Sequence, residues 1–298
     1  NDGSRTDGGI STVNSTYEFG SIYNIIHFRN VKIGNFLYFI APERSGGSNS
    51  NLKLRKLNLI TEEITAISGN LWHDTDNIPK GKGNYNGIVC IMGNTNTLPY
   101  IYLCANSRSS QANDEWCNFV TRFNVETETF PDGIWNSHGE LWPTQGQVTS
   151  AGMSDSKFWF DNFSAQNVLG GEIVGDYMYI ITWDMNTYNS YTSNNKIFKI
   201  KMSDKTFSTI DYSRGFDFWV KSQTTGVSIT TDGNYIYFAA SSTGESQNFT
   251  YGSVIKRLDV SNDTVNDAWF SYTMNSSNDS RYRRLIYNLY YENGYIYF

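Results

Sequence analysis

Five short phrases punctuate this chain at near-regular intervals: NFLYF from Asn35, PYIYL from Pro99, DYMYI from Asp176, NYIYF from Asn234 and GYIYF from Gly294. Their shared tyrosines, Tyr38, Tyr102, Tyr179, Tyr237 and Tyr297, stand 64, 77, 58 and 60 residues apart. A chain that rewrites one phrase at a steady interval builds one structural unit repeatedly, and this limits its fold more than composition does. Apolar residues alternating over a few positions, bounded by Gly, Asn and Asp, read as strands joined by tight turns. A second phrase follows the first four copies: RKLNLITEEI from Arg55, TRFNVETETF from Thr121, FKIKMSDKTF from Phe198 and KRLDVSNDTV from Lys256. Each is a strand, a polar turn and the start of another strand. A further apolar segment precedes each tyrosine phrase, such as NGIVCIMG from Asn86 and GVSITTDG from Gly226. The unit is therefore four short strands in meander order, A to D, with the tyrosine phrase on B. Aromatics at 16% of the chain, with 21 Tyr against 5 Pro, suit pleated surfaces.

Four-stranded units repeated at this interval are read as the blades of an all-β propeller, whereas a β-sandwich has no reason to repeat a four-strand phrase. Stretches such as YMYIITWD, followed by IFKIKM, and GSVIKRLDVSNDT resemble the general β-propeller pattern of many secreted, bacterial and phage repeat proteins. The glycine pair of kelch blades and the sialidase-type Asp box are absent, and the Trp-Asp dipeptide occurs once, at Trp183 and Asp184. The expected blades cover residues 24–83, 84–163, 164–223 and 224–283, with a fifth formed by 284–298 together with 1–23. In that arrangement residues 9–23 supply strands C and D to a last blade whose A and B strands come from the C-terminal end. The whole chain is then one five-bladed domain, and closure removes exposed strand edges.

Net charge is −6 and the densest basic run is RYRR from Arg281, so the positive stripe that nucleic-acid binding requires is missing. No apolar run approaches the roughly 18 residues of a membrane-spanning helix. No cofactor or metal is expected. GKGNYNG from Gly81 lacks a following helical pattern, and HDTDN from His73 lacks the glycine turn and distal Glu of a calcium loop. His27 on the first A strand reads as a polar lining residue, while His73 and His138 fall in connections.

A propeller glycosidase needs two carboxyl groups beside the scissile bond, roughly 5–10 Å apart. The starts of the five A strands hold none, and Glu172, Asp232 and Glu292 fall toward the A–B turns. The reading that follows is a non-catalytic extracellular or virion-associated module for recognition or assembly, binding a glycan or a protein surface. One alternative is a carbohydrate-active hydrolase or lyase with acids delivered by loops, such as Asp155 and Asp161. Another is a structural subunit of a surface filament, a homo-oligomer joined by strand addition. Residues 136–167 lengthen the second interval and carry Trp142, Trp159 and Phe160, the expected ligand-binding residues. Cys104 and Cys117 flank the B–C loop symmetrically, which predicts a disulfide and an oxidising compartment. Sequons at Asn14, Asn162, Asn248, Asn262, Asn275 and Asn278 are about as many as 33 asparagines meet by chance, but all fall in expected turns or loops. Trp72, Trp135, Trp219 and Trp269 recur near D strands, as packing residues between neighbouring sheets.

Overall fold

A computed structural model describes residues 30–44, 50–67, 87–106, 119–129, 131, 166–184, 195–204, 206–212, 228–241, 252–273 and 289–298. Strands β1 (Val31–Ile33), β2 (Phe36–Arg44), β3 (Ser50–Asn58) and β4 (Ile64–Ala66) form the first antiparallel sheet in chain order. A second holds β5 (Gly87–Met92), β6 (Tyr100–Asn106) and β7 (Phe119–Asn124), extended by a bridge from Asn124 to Thr129. A third holds β8 (Gln166–Val174), β9 (Tyr177–Asp184), β10 (Lys196–Lys201) and β11 (Phe207–Asp211), and a fourth holds β12 (Ile229–Thr231), β13 (Tyr235–Ser241), β14 (Gly252–Asp259) and β15 (Thr264–Thr273). The described C-terminal end adds the pair β16 (Tyr290–Glu292) and β17 (Tyr295–Tyr297). Each tyrosine phrase forms the second strand of its sheet, as the sequence predicts.

The hairpin register repeats with the sequence. Cys104 opposes Val120, Ile181 opposes Ile197 and Ala239 opposes Ile255, an offset of 16 residues in three sheets. The first sheet is shorter by two, with Ile40 opposite Leu54. The final A–B turn explains the Asn-Gly of the last phrase. Asn293 and Gly294 sit at φ 50° and 85°, the left-handed pair that a two-residue hairpin turn needs.

The second, third and fourth sheets are buried on both faces, because alternate residues along a strand point to opposite sides. Ile91, Ile101, Leu103 and Phe123 turn toward Val31, Tyr38, Ile40 and Leu54 of the first sheet. Their alternating neighbours Cys90, Met92, Tyr102, Cys104 and Val120 turn the other way, onto Val168, Ile173, Met178, Ile180, Phe198 and Ile200 of the third. The third sheet meets the fourth through Tyr179, Ile181, Ile197 and Tyr212 against Ile229, Ile236, Phe238, Val254 and Leu258. The fourth meets the last pair through Tyr237, Ala239 and Ile255 against Leu289 and Ile296. First strands pack in succession, β5 on β8, β8 on β12 and β12 on β16, so they form the inner layer of the array. Sheets in chain order, joined face to face with their first strands innermost, make a β-propeller-like arrangement.

Among the described glycines, Gly171 of β8 leaves the least room for a side chain. A Cβ there would stand 2.6 Å from Met92 Sδ, 2.8 Å from Ile180 Cδ1 and 3.1 Å from the Tyr179 carbonyl oxygen. The two side-chain ends can yield, but the carbonyl belongs to the ladder. Substituting Gly171→Val should therefore cost about 1–3 kcal/mol by overpacking the second and third sheets. Chemical denaturation checks this, with a lowered midpoint and an unchanged slope expected.

Candidate functional site

The repeated tyrosines define a level in the array. On the inner strand of each sheet the residue in register with the tyrosine is Val31, Met92, Glu172, Thr230 or Tyr290. On the other side, in four sheets, the residue in register is basic: Lys56, Arg122, Lys199 or Arg257. The aromatic ring two positions before each tyrosine lies under that cation. Lys56 sits 5.1 Å from the Phe36 ring, Arg122 4.4 Å from Tyr100, Lys199 4.7 Å from Tyr177 and Arg257 4.3 Å from Tyr235. Two of the cations then reach the C–D turn of the next sheet, Lys56 to Glu128 and Lys199 Nζ to Asp263 Oδ1 at 2.7 Å. Burial alone would lower the Lys199 pKa, and the Asp263 carboxylate together with Tyr179 reverses this into a net rise. Burial also raises the Tyr38, Tyr179 and Tyr237 phenols, which remain hydrogen-bond donors at neutral pH. Tyr237 donates to Asp232 Oδ2 at 2.9 Å. The tyrosine phrase therefore serves as a packing device that repeats with the sheets.

Against this background Glu172 departs from the pattern. It lies inside β8, two residues before the strand ends, and is only 5% exposed. One carboxylate oxygen accepts from the Ile173 amide at 2.9 Å. It is the one buried carboxylate among the described residues. Its nearest counterpart on the fourth sheet, Asp232, is committed to its turn, accepting from the Asn234 and Tyr235 amides as well as from Tyr237. Among the described residues no cluster of His, Cys, Asp and Glu could hold a metal ion.

The second buried charge is Lys256, fully enclosed on the face of β14 that turns to the third sheet. Its ammonium donates to Asp267 Oδ1 at 2.6 Å and to the Asp267 carbonyl at 3.2 Å, with the Tyr212 ring 5.9 Å away. Burial lowers its pKa and Asp267 restores part of the loss. The Tyr212 phenol, also buried, donates to the Thr182 carbonyl at 2.7 Å. With every donor turned inward, this cluster is a structural tie between sheets.

The sequence-based site residues fare unevenly. Trp142, Trp159 and Phe160 lie outside the described residues, as do Asp155, Asp161, the three histidines, Cys117, and Asn14, Asn162, Asn248, Asn275 and Asn278. Asn262 is in the exposed C–D turn of the fourth sheet, where its side chain accepts from the Thr264 amide at 3.1 Å and donates to Asp259. Trp269 packs on Tyr237 with ring centroids 4.9 Å apart. Cys104 is a free buried cysteine opposite Val120, not opposite Cys117. The expected Cys104–Cys117 bridge would need β7 to slip by three residues. An odd slip exchanges the two faces of a strand and would turn Val120 and Phe123 away from their cores.

No family model matches the chain, and no curated protein matches it. Solved structures with a similar fold include the β-propeller domain of a trilobed protease from Pyrococcus furiosus, at 9% identity over 83% of this chain and 55% of that one, with a TM-score of 0.37. An α-L-arabinofuranosidase from Lactobacillus brevis is 11% identical over 83% of this chain and 72% of that one, with a TM-score of 0.41. An arabinanase from Bacillus subtilis is 13% identical over 84% and 80%, with a TM-score of 0.37. The chain spans 55% of the protease propeller structure and 38% of a family-43 glycoside hydrolase from Bacillus licheniformis. Most of these similar structures are glycoside hydrolases by name, and the expectation of a non-catalytic recognition module is withdrawn. The search behind that expectation covered the starts of the A strands and placed Glu172 toward the A–B turn; β8 ends two residues beyond Glu172 and buries its side chain.

The Lys256–Asp267 pair gives a stability test. Asp267→Ala leaves an enclosed cation without its carboxylate and should cost about 3 kcal/mol in thermal or chemical unfolding. Lys256→Met, which removes the charge and keeps the volume, should remain within about 1 kcal/mol of the parent or exceed it.

Proposed function

We propose that this chain is the propeller scaffold of a carbohydrate-active hydrolase, with Glu172 as one carboxyl group of its machinery. The observation that carries this reading is the level defined by the tyrosines. Four of the five inner positions are filled by the uncharged residues Val31, Met92, Thr230 and Tyr290, so packing does not require a carboxylate at the fifth. Glycoside hydrolysis uses a pair of carboxyl groups, one protonated and one ionised, and apolar burial is the means by which enzymes hold one protonated. A glycan is the substrate class, consistent with arabinan-directed activity among the similar structures.

Two acids suggested by the sequence, Asp155 and Asp161, precede β8. Glu172 lies six strand steps, or ~20 Å, from the start of β8 at Gln166, while Asp155 and Asp161 lie outside the described residues. Turnover of arabinan and aryl arabinofuranosides by the parent, Glu172→Gln, Asp155→Asn and Asp161→Asn separates these positions. The expected result is turnover by the parent that falls about 10²–10⁴-fold in Glu172→Gln with unfolding unchanged. Loss in an Asp variant alone would move the chemistry to the segment before β8. Absence of turnover across a broad glycan panel would overturn the reading.

The same array supports closure into five blades, with residues 9–23 completing the last. The far face of β16–β17 leaves Tyr290, Tyr295 and Tyr297 at 57%, 67% and 52% exposure, and the outer half of the fourth sheet leaves Trp269 and Phe270 at 37%. A full fifth sheet would cover the outer half of the fourth, and the first sheet would cover the far face of β16–β17 on closure; among the described residues no strand pairs with the other edge of β17. Deleting residues 1–23 should lower the thermal midpoint and promote aggregation on heating. An unchanged midpoint in a monodisperse truncated protein rules this closure out.

A further inference from the structure

We propose that Cys90 and Cys104 form a disulfide across the innermost hairpin of the second sheet when the chain folds in the presence of a disulfide oxidant such as oxidised glutathione. The two residues are direct cross-strand partners between β5 and β6. Directly opposed residues of an antiparallel pair share a face, and their Cα atoms are about 4.5–5.5 Å apart, inside the roughly 4.4–6.8 Å window of a disulfide. Both side chains belong to the core that joins the second and third sheets. Cys104 is fully buried and Cys90 is 3% exposed. No competing register is needed, since the ladder of β6 with β7 places Val120, and no thiol, opposite Cys104.

The chemistry balances in two exchanges. One cysteine, as thiolate, attacks a sulfur of the oxidant, releasing one glutathione thiolate and leaving a mixed disulfide. The second cysteine then attacks the protein sulfur, closes the Cys90–Cys104 bond and releases the second glutathione. The protons of both cysteines end on the two glutathione thiols, so the cysteines are oxidised and the oxidant is reduced. Burial pushes the Cys104 thiol well up, which makes its thiolate scarce once the third sheet covers it. The bond therefore forms while the hairpin is still uncovered during folding, and the assembled core afterwards shields it from reductants. This makes it a structural staple of the inner layer, and its presence reports that the chain matured under oxidising conditions.

Peptide mapping by mass spectrometry tests the pairing on full-length protein refolded with oxidised and reduced glutathione, then denatured in alkylating agent without reductant. The expected product joins the Cys90 and Cys104 peptides and leaves Cys117 alkylated, and the same product persists in the Cys117→Ser variant. The linked protein should also unfold at a higher temperature than the same protein after reduction. A peptide joining Cys104 to Cys117, or alkylation of all three cysteines after refolding, overturns the proposal. Because Cys117→Ser leaves both proposed partners in place, a folding failure of a Cys90 or Cys104 variant does not affect the outcome.

Discussion

Everything in this array depends on sheets that are apolar on both sides. A two- to four-stranded sheet cannot bury two faces by itself, so each one is unfinished until a copy packs on either side. The third sheet shows the requirement most clearly. Val168, Ile173, Met178 and Ile180 face the second sheet, while Tyr179, Ile181, Ile197 and Tyr212 face the fourth. Adjacent letters of the phrase YMYII thus belong to different cores. Fully burying side chains of this size contributes about 1.5–3 kcal/mol each, and each contribution is realised only at a joint between sheets.

Polar groups then fix the angle and height at which the sheets meet. At the end with short turns, the first amide after the third strand donates to the A–B turn carbonyl in four sheets: Leu59 to Asn35, Val125 to Pro99, Met202 to Asp176 and Val260 to Asn234. Asn58, Asn124 and Asp259 cap the C–D turns by accepting from amides two residues ahead. The cations stacked on the aromatic phrase sit just above, and Lys199 ties one sheet to the next through Asp263. Glu62, Glu128 and Asp263 occupy equivalent turn positions at φ 60°, 53° and 58°. The acidic residue that receives a neighbour's lysine is therefore presented by a turn whose own backbone repeats.

How much of this is legible in the sequence follows from how local each feature is. The tyrosine phrase, the Asn-Gly turn and the meander order depend on neighbours within a few residues, and their letters state them. The pairing of β6 with β7 depends on which face of β7 meets which core. Symmetry about the loop suggested Cys117 opposite Cys104, but burial of Val120 and Phe123 on opposite sides decides the register three residues away. Glu172 was legible as an acid toward the A–B turn, but its burial was not. The run AQNVLGG ends at two glycines that look like a strand terminus, whereas Gly171 is needed in the strand because Met92 and the Tyr179 carbonyl leave no room for a side chain. Lys256 reads as a solvated lysine beside Arg257, and only the packing of the fourth sheet on the third shows that it is enclosed.

The functional argument rests on the same repetition. In a single-copy fold a buried carboxylate is difficult to interpret, since hydrogen bonds can make it a structural group. Here the fold supplies its own controls. The scaffold fills the inner position beside the tyrosine five times, and valine, methionine, threonine and tyrosine each satisfy it. Thr230 at that level has a structural task, accepting from the Tyr291 amide at 3.1 Å and so joining β12 to β16. Glu172 occupies the equivalent place where the β5 and β12 neighbours already pack closely on β8, and desolvating a carboxyl group there costs several kcal/mol unless its hydrogen bonds offset it. Methionine in the second sheet shows that an apolar chain of similar length fits the level without that cost. A repeat position that keeps the more costly residue in one copy, on an inner strand packed against β5 and β12, is where the proposed chemistry is to be tested.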